Sequence, residues 1–143
     1  MSNIDVAIRP MFKEDEPFIL SSWLKSYRHG SFFAKRIRDH IFYKYHHAMA
    51  TAILHRPSAS VYVAADPQDL GVIFGYLVVE KFGEKSVFHF AYVKAPFRRF
   101  GIATKLLAAS EIDPNQAYAS HQTVDSEFIL TKFPDLTYCP YAV

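Results

Sequence analysis

Two arginines and a glycine, Arg98, Arg99 and Gly101, stand where an apolar strand pattern ending at Val93 gives way to a helical pattern. A helix N-terminus presents unpaired N–H groups and about half a positive charge. Glycine lets a ligand approach the backbone closely, and guanidinium groups bind phosphate oxygens. The segment therefore predicts a phosphate or pyrophosphate site. A plain strand–loop–helix connection with two solvated arginines is the alternative.

The elements around this segment follow from the spacing of apolar residues. The patterns predict strands over residues 4–8, 60–65, 72–81, 86–93, 117–120 and 136–143, and helices over residues 18–27, 33–55, 101–110 and 125–132. This order, β-α-α-β-β-β-α-β-α-β, predicts an α/β fold with a mixed, mostly antiparallel central sheet flanked by helices. The last strand contains Pro140, so we expect it at a sheet edge.

The longest predicted helix has a single apolar face. Its members recur at steps of three and four residues: Ile37, Ile41, Tyr45, Ala48 and Ala52. Polar and aromatic residues, including His46, cover the rest of this helix. The pattern predicts that the apolar face packs on the sheet.

A family resemblance is carried by six consecutive residues, Arg98-Arg99-Phe100-Gly101-Ile102-Ala103. They resemble the Arg/Gln-x-x-Gly-x-Gly/Ala motif of the GCN5-related N-acetyltransferase (GNAT) superfamily. The strand ending in Tyr-Val before the motif, the Leu-Leu pair on the following helix and the element order over nearly the whole chain are also similar. The resemblance implies one acyl-CoA N-acyltransferase-like domain over residues 1–143. It also implies transfer of an acyl group, with acetyl-CoA as the expected co-substrate, to a primary amine by direct attack.

The resemblance also implies a role for each residue around the motif. In that fold the strand that carries Tyr92 and Val93 bulges and splays from the next strand, so that its backbone can pair with the pantetheine amides. Backbone N–H groups after it would cradle the pyrophosphate. The implied coenzyme-binding residues are Tyr92, Val93, Arg98, Arg99, Phe100, Gly101, Ile102, Ala103 and Thr104.

Candidates for acid and base are less well defined. His89 shares a predicted strand face with Val93, and some relatives use a strand histidine at this offset as a general base; a packed, hydrogen-bonded histidine is the alternative. The position where the family often has an acidic tyrosine is Phe128, which has no hydroxyl. Tyr138 is our candidate acid, with Tyr118, Tyr141 or water as substitutes. His121 could contact coenzyme A or substrate, or lie in a helix cap with Thr123 and Asp125.

Composition excludes several classes of protein. The chain has 143 residues, of which 50% are hydrophobic and 21% charged, with a net charge of +2. These values predict a folded domain with no global attraction to nucleic acid or membranes. Cys139 is the single cysteine, so neither an intramolecular disulfide nor a cysteine-based zinc site is expected, and we predict no metal. The longest apolar stretch is too short for a membrane span and no signal-peptide pattern appears, so we expect a cytoplasmic protein.

Residues 25–56 leave further functions open. They contain seven Lys or Arg against one acid, Asp39, a local charge of +6, together with five of the seven histidines. This is either a solvated face, a contact for an anionic substrate or the coenzyme 3′-phosphate, or a nucleic-acid surface.

The favoured function is an N-acyltransferase for a small-molecule or peptide amine. The alternatives are a catalytically degenerate coenzyme A-binding or protein-interaction module, and a nucleic-acid-associated protein. The aromatic tail around Tyr138 could pair with a second subunit in a homodimer.

Overall fold

The strands and helices organise around one sheet in the computed structural model, which describes residues 4–123 and 133–143. The strands are β1 (Ala7–Pro10), β2 (Ala59–Asp66), β3 (Asp69–Phe82), β4 (Lys85–Val93), β5 (Ala117–Ala119) and β6 (Thr137–Tyr138). The helices are α1 (Glu16–Gly30), α2 (Asp39–Leu54) and α3 (Ile102–Ser110).

The sheet follows chain order, β1-β2-β3-β4-β5-β6. The first four strands are antiparallel, whereas β5 runs parallel to β4 and β6 parallel to β5. The predicted mixed, mostly antiparallel α/β fold is confirmed. The helix predicted over residues 125–132 lies outside the described residues.

Helices cover both faces of the sheet. On one face Trp23 of α1 and Ile53 of α2 pack in a cluster with Val78 of β3. On the other face Ile102 and Leu106 of α3 pack with Leu77 and other strand residues. Residues 73–80 of β3 are all buried, as the near-continuous apolar run of this strand predicts for a sheet covered on both sides.

The start of α2 differs from the prediction of one helix over residues 33–55. The chain makes a short 3-10 turn at Ala34–Arg36, and Ile37 and Arg38 are extended before the helix begins at Asp39. The Arg28 guanidinium of α1 donates hydrogen bonds to the carbonyls of Ala34 and Ile37. These bonds satisfy carbonyl groups that a continuous helix would have used, so the break is stabilised from α1.

The predicted buried face of α2 is wrong. Ile41 and Tyr45 are 41% and 65% exposed, while Phe42 and His46 are buried. His46 stacks against both Phe42 and Tyr27, with ring centroids 4.9 and 4.8 Å apart. Because Ile37 lies outside the helix, the three- and four-residue spacing counted from it does not hold for the residues that follow. The stacked rings of Tyr27, Phe42 and His46 decide which side of α2 packs inward.

Both edge strands differ from the sequence patterns. β1 begins at Ala7 and continues to Pro10, which the outer edge tolerates. Arg9 is buried in this strand, where its guanidinium lies 2.6 Å from the Asp15 carboxylate. At the other edge β6 contains two residues, and Pro140 lies in a turn. Because β5 has only three residues, it offers no backbone partner for the longer strand predicted over residues 136–143.

Gly75 marks a close approach of β3 to β4. A Cβ added at this position would lie 2.5 Å from the Tyr92 carbonyl oxygen and 3.1 Å from Val93 Cα. We expect Gly75→Ala to lower the free energy of unfolding by about 2–3 kcal/mol, because the close atoms include β4 backbone, which would have to move away from β3. Urea unfolding followed by circular dichroism measures the change.

Gly71→Ala is the matched control on the same strand. Its added Cβ would lie 3.3 Å from Oδ1 of Asp69, the end of a flexible side chain that can move. A change within about 0.5 kcal/mol is expected there. Equal losses for the two variants would contradict the importance of the close approach.

Candidate active site

The loop between β4 and α3 leaves backbone N–H groups accessible. Arg99 and Gly101 have φ angles of 69° and 78°, in the left-handed region that favours glycine. Gly101 precedes the first turn of α3 and no side chain caps that turn, so its N–H groups keep their hydrogen-bonding capacity. A Cβ at Gly101 would meet nothing within 4 Å. The loop therefore has room for an anion against its backbone.

The side chains of this loop divide into two groups. Arg98 Nε donates a hydrogen bond of 2.8 Å to the Val93 carbonyl, which ties the loop to the end of β4. Ile102, the first residue of α3, is 2% exposed, and its side chain packs in the cluster with Leu77 of the sheet. Phe100 is half-buried, and the exposed members are Arg98, Arg99, Gly101, Ala103 and Thr104. Two exposed positive side chains therefore accompany the open turn.

β4 and β5 separate beside this loop. β5 pairs with β4 only at Ser86, Val87 and Phe88. A β-bulge marks the same place, since Val79 pairs with Phe88 and Val78 with Phe90, leaving His89 as the extra residue. Residues 90–93 of β4, including Tyr92 and Val93, pair with β3 on one side and with no described strand on the other. Their outward backbone groups form one wall of an opening between the two strands.

His89 lies inside the sheet at the point where this opening begins. Its Nε2 is 2.8 Å from Oε1 of Glu80, and its Nδ1 is 2.7 Å from the Ser120 hydroxyl. Both His89 and Phe90 are buried, so the bulge interrupts the alternation that placed His89 on one face with Val93. Its 1% exposure means that any proton exchange with a substrate must pass through its hydrogen-bond partners.

The hydrogen bonds continue beyond Ser120 to two more histidines. The Ser120 hydroxyl is 2.8 Å from Nδ1 of His121, and Nε2 of His121 is 2.9 Å from Nε2 of His46. At the other end, Glu80 accepts hydrogen bonds from Ser58 and, at 3.1 Å, from Arg56. We call Glu80, His89, Ser120, His121 and His46 the buried polar chain.

Aromatic side chains enclose His121 and His46, the two histidines at the α2 end of the buried polar chain. The His121 ring centroid lies 4.7 Å from that of Tyr27 and 5.3 Å from that of Trp23. His121 and His46 are 7% and 8% exposed. Such surroundings exclude water and disfavour charge on the imidazoles.

The pKa shifts give the charge of each group in the buried polar chain. Burial lowers the pKa of His46 to about 4. Burial also lowers the pKa of His89, and it holds the pKa of His121 well below its ordinary value. Burial by itself raises the pKa of Glu80, but hydrogen bonds from Ser58 and His89 and the Arg56 charge outweigh it, so the net direction is down. At neutral pH the chain therefore contains three neutral imidazoles and one carboxylate.

Tyr138, the predicted acid, lies in β6 beside the end of β5. It pairs with Ala119, the last residue of β5, and is 37% exposed. Burial, with the nearby Tyr27 and Cys139, raises the pKa of its hydroxyl, so the phenol keeps its proton at neutral pH. Tyr138 therefore stands two strands from β4, at the start of the opening.

Part of the basic segment is occupied in structural contacts. Arg28 binds two carbonyls and the Asp39 carboxylate, and Arg56 binds Glu80. These two positive charges are therefore partly neutralised and held in place, which reduces the charge available for a nucleic-acid surface.

Other features of the described residues lie apart from this site. A groove of about 680 Å³ follows the outer sheet edge and is lined by β1, β2, Leu54 and Ala109. It lies on the far side of β3 from the opening. Within residues 4–123 and 133–143, no three His, Cys, Asp or Glu side chains are grouped so that they could hold a metal ion. No helix in these same ranges is both long and apolar enough to cross a membrane.

Sequence reasoning missed three members of the buried polar chain: Glu80, Ser120 and His46. A signal existed for Glu80, because a single acid in an otherwise apolar strand must find a buried partner. His46 was grouped with the polar residues of its helix, whereas the structure buries it beside Phe42 on the side that packs inward. Ser120 carried no signal, because a serine at a strand end is common in turns.

Solved structures of proteins described as acetyltransferases have a similar fold. A Bacillus subtilis protein described as an acetyltransferase aligns over 96% of this chain and 83% of its own, with a TM-score of 0.59 and 16% identity. An N-acetyltransferase of Thermoplasma acidophilum in complex with coenzyme A aligns over 76% and 70%, with a TM-score of 0.55 and 15% identity. A ribosomal-protein-alanine N-acetyltransferase of Brucella melitensis aligns over 96% and 84%, with a TM-score of 0.54 and 15% identity. No protein-family model and no curated protein sequence matches the chain.

Proposed function

This chain has the fold of the GCN5-related N-acetyltransferases, and from that premise we propose that it is an acyl-CoA-dependent N-acyltransferase. The observation that carries the proposal is the opening between β4 and β5 beside an uncapped helix N-terminus. The loop over residues 98–104 binds the pyrophosphate of the coenzyme. The outward backbone groups of Tyr92 and Val93 bind the pantetheine amides and direct the thioester into the opening.

The proposed reaction is direct attack of a primary amine on the thioester carbonyl. An N–C bond forms and the C–S bond breaks, so the amine must lose a proton and the departing thiolate must gain one. The buried polar chain that contains His89 takes up the amine proton. Its neutral imidazoles suit this role, because a protonated histidine could not accept it.

Tyr138 is the proposed acid for the thiolate. Its raised pKa keeps the hydroxyl protonated, and its place beside Ala119 puts it at the start of the opening. We expect Tyr138→Phe to lower kcat roughly 100-fold, the lower end of what general acid catalysis supplies, with little change in KM for acetyl-CoA. Steady-state release of coenzyme A thiol measures both constants.

Tyr141→Phe is the control for this substitution, since Tyr141 is 89% exposed and only three residues away. Its kcat should equal that of the unaltered chain. An unchanged kcat in Tyr138→Phe as well would remove Tyr138 from the mechanism without affecting the proposal for the loop.

The test of the function itself combines binding and turnover. Calorimetry with acetyl-CoA should show saturable binding, and a thiol-release assay should show acetyl-CoA-dependent acylation within a panel of amines. The panel includes a small polyamine, an aminoglycoside and a peptide with N-terminal alanine. Binding without turnover across that panel favours a non-catalytic coenzyme A-binding module. No binding contradicts both readings.

A further inference from the structure

We propose that the buried polar chain is a directional proton relay, with Nδ1 of His46 as the atom that accepts the proton of the attacking amine. The inference rests on the proposed N-acyltransferase function and assigns a role to an α2 residue. It makes His89 an internal carrier of the proton, and Glu80 the group that holds it until the reverse shift along the same groups returns it through His46 before the next turnover.

The direction of the path follows first from Glu80. A carboxylate has no proton to donate, so the bond of 2.8 Å to Nε2 of His89 requires an N–H on that nitrogen. A neutral imidazole has one N–H, which leaves Nδ1 of His89 as an acceptor. The Ser120 hydroxyl, 2.7 Å away, must therefore donate its proton to His89.

The same reasoning extends to the two remaining histidines. Since the Ser120 proton points to His89, its oxygen accepts from Nδ1–H of His121 at 2.8 Å. Neutral His121 then has a lone pair on Nε2, which must accept from Nε2–H of His46 at 2.9 Å. Every hydrogen bond thus points from α2 towards Glu80. In the described hydrogen bonds His46 uses only its Nε2. Each of the three neutral imidazoles has one lone pair, and the lone pair on Nδ1 of His46 is the one that no other group of the buried polar chain engages.

The location of the chain connects it to the opening. The Ser120 N–H donates to the Phe88 carbonyl at 3.1 Å, where the pairing of β5 with β4 ends. From that point His121 and His46 extend to the α1–α2 face of the sheet, enclosed by Trp23 and Tyr27. The chain therefore links the end of β5 beside the opening to the α1–α2 face, and the proposal places the attacking amine at that face, where the aromatic rings exclude bulk water.

The proton transfer balances without an added reactant. As the amine N–H bond breaks, Nδ1 of His46 gains that proton and passes its Nε2 proton to His121. His121 passes its Nδ1 proton to Ser120, Ser120 passes its hydroxyl proton to His89, and His89 passes its Nε2 proton to Glu80. Each imidazole ends neutral in its other tautomer, and the carboxylate becomes a carboxylic acid. No charged imidazole is left in the buried site.

The direction of the chain can be measured without any substrate. Proton-detected nitrogen NMR of histidine-labelled protein at pH 7 reports which ring nitrogen holds the proton. We expect Nε2–H for His89 and His46 and Nδ1–H for His121, with resonances assigned through single His→Gln variants. A proton on Nε2 of His121, or a positively charged His89, would overturn the proposal. If the wild-type protein had no acyltransferase activity, the proposed function would be contradicted. The NMR measurement would still decide the direction of the hydrogen bonds in the buried polar chain.

Kinetics test the role of His46. In His46→Gln the amide nitrogen can still donate to His121, but the side chain has no basic lone pair. We expect kcat to fall roughly 100-fold with KM for acetyl-CoA unchanged, the lower end of what a general base supplies. His47→Gln is the matched control, because His47 is exposed on the same helix. A kcat for His46→Gln within twofold of the control would overturn the proposal.

Ser120 provides an independent test at the middle of the chain. Ser120→Ala should lower kcat by a similar factor, and Ser120→Thr, which keeps the hydroxyl, should restore most of it. Ser110→Ala is the control, since Ser110 is 1% exposed and bonds only within its own helix end. A purely structural Ser120 would lower the melting temperature and leave kcat of the folded protein unchanged, which would contradict proton transfer through it.

Discussion

Gly101→Gln is expected to weaken binding of acetyl-CoA by at least about 100-fold, equivalent to roughly 2.7 kcal/mol. The reason is local, because an added side chain would grow from a backbone position that has nothing within 4 Å. That space is where the pyrophosphate would contact the N–H groups of α3. Isothermal titration calorimetry with acetyl-CoA measures the change.

The same substitution also strains the backbone, since Gly101 has a φ of 78°. A non-glycine residue in the left-handed region costs about 1–2 kcal/mol of stability, which must be separated from the loss of binding. Gly83→Gln provides that separation. Gly83 lies in the β3–β4 hairpin, has a φ of 57° and also has nothing within 4 Å of an added Cβ.

The two variants should therefore lose similar stability, while Gly83→Gln binds acetyl-CoA as well as the unaltered chain. If Gly101→Gln bound acetyl-CoA within threefold of Gly83→Gln, the loop would not be the pyrophosphate site. The proposed function would then lose its coenzyme-binding element.

The order and type of the elements were predictable because their apolar spacing is regular. β3 and β4 have long runs that only a sheet covered on both faces can bury, and the structure has them adjacent and antiparallel. The edges were not predictable to the residue. β1 includes buried Arg9, because Asp15 from the next segment neutralises it, and no pattern within the strand contains that partner.

The proposed coenzyme-binding loop and the buried polar chain differ in how much of each the sequence could show. Arg98, Arg99 and Gly101 lie within four residues of one another, so a short motif suffices to find them. The chain joins β3, β4, the end of β5 and α2. Those contacts depend on the bulge at His89 and on which residues of α2 face the sheet. The second depends on where α2 begins, just after the two carbonyls that Arg28 binds. Neither is visible from the spacing of single residues.

Acidification from pH 6.5 to pH 4 should reduce the free energy of unfolding by about 3 kcal/mol through His46 alone. The pKa of this imidazole is about 4 in the folded protein and near 6.5 when unfolded. As the pH falls, the unfolded chain therefore binds the proton first, and the folded state loses relative stability across this window. Below pH 4 the folded state also binds the proton, and the loss stops growing.

His89 and His121 add to this loss in the same direction, because burial lowers the pKa of each in the folded state. Glu80 acts in the same sense at lower pH, since its net folded pKa is below the ordinary value and its stabilisation disappears as it is protonated. The steepest dependence is therefore expected between pH 6.5 and 4, where the histidines dominate. Urea unfolding at half-unit pH intervals gives the slope.

His46→Gln separates the contribution of one imidazole from the rest. It should reduce the slope of unfolding free energy against pH by about 1.4 kcal/mol per unit in this window, the value for one proton. His47→Gln should leave the slope unchanged, because that side chain is exposed. Equal slopes for the two variants would mean that the pKa of His46 is the same in the folded and unfolded states. Burial would then not lower the pKa of this imidazole, and the assignment of the amine proton to its Nδ1 would lose that support.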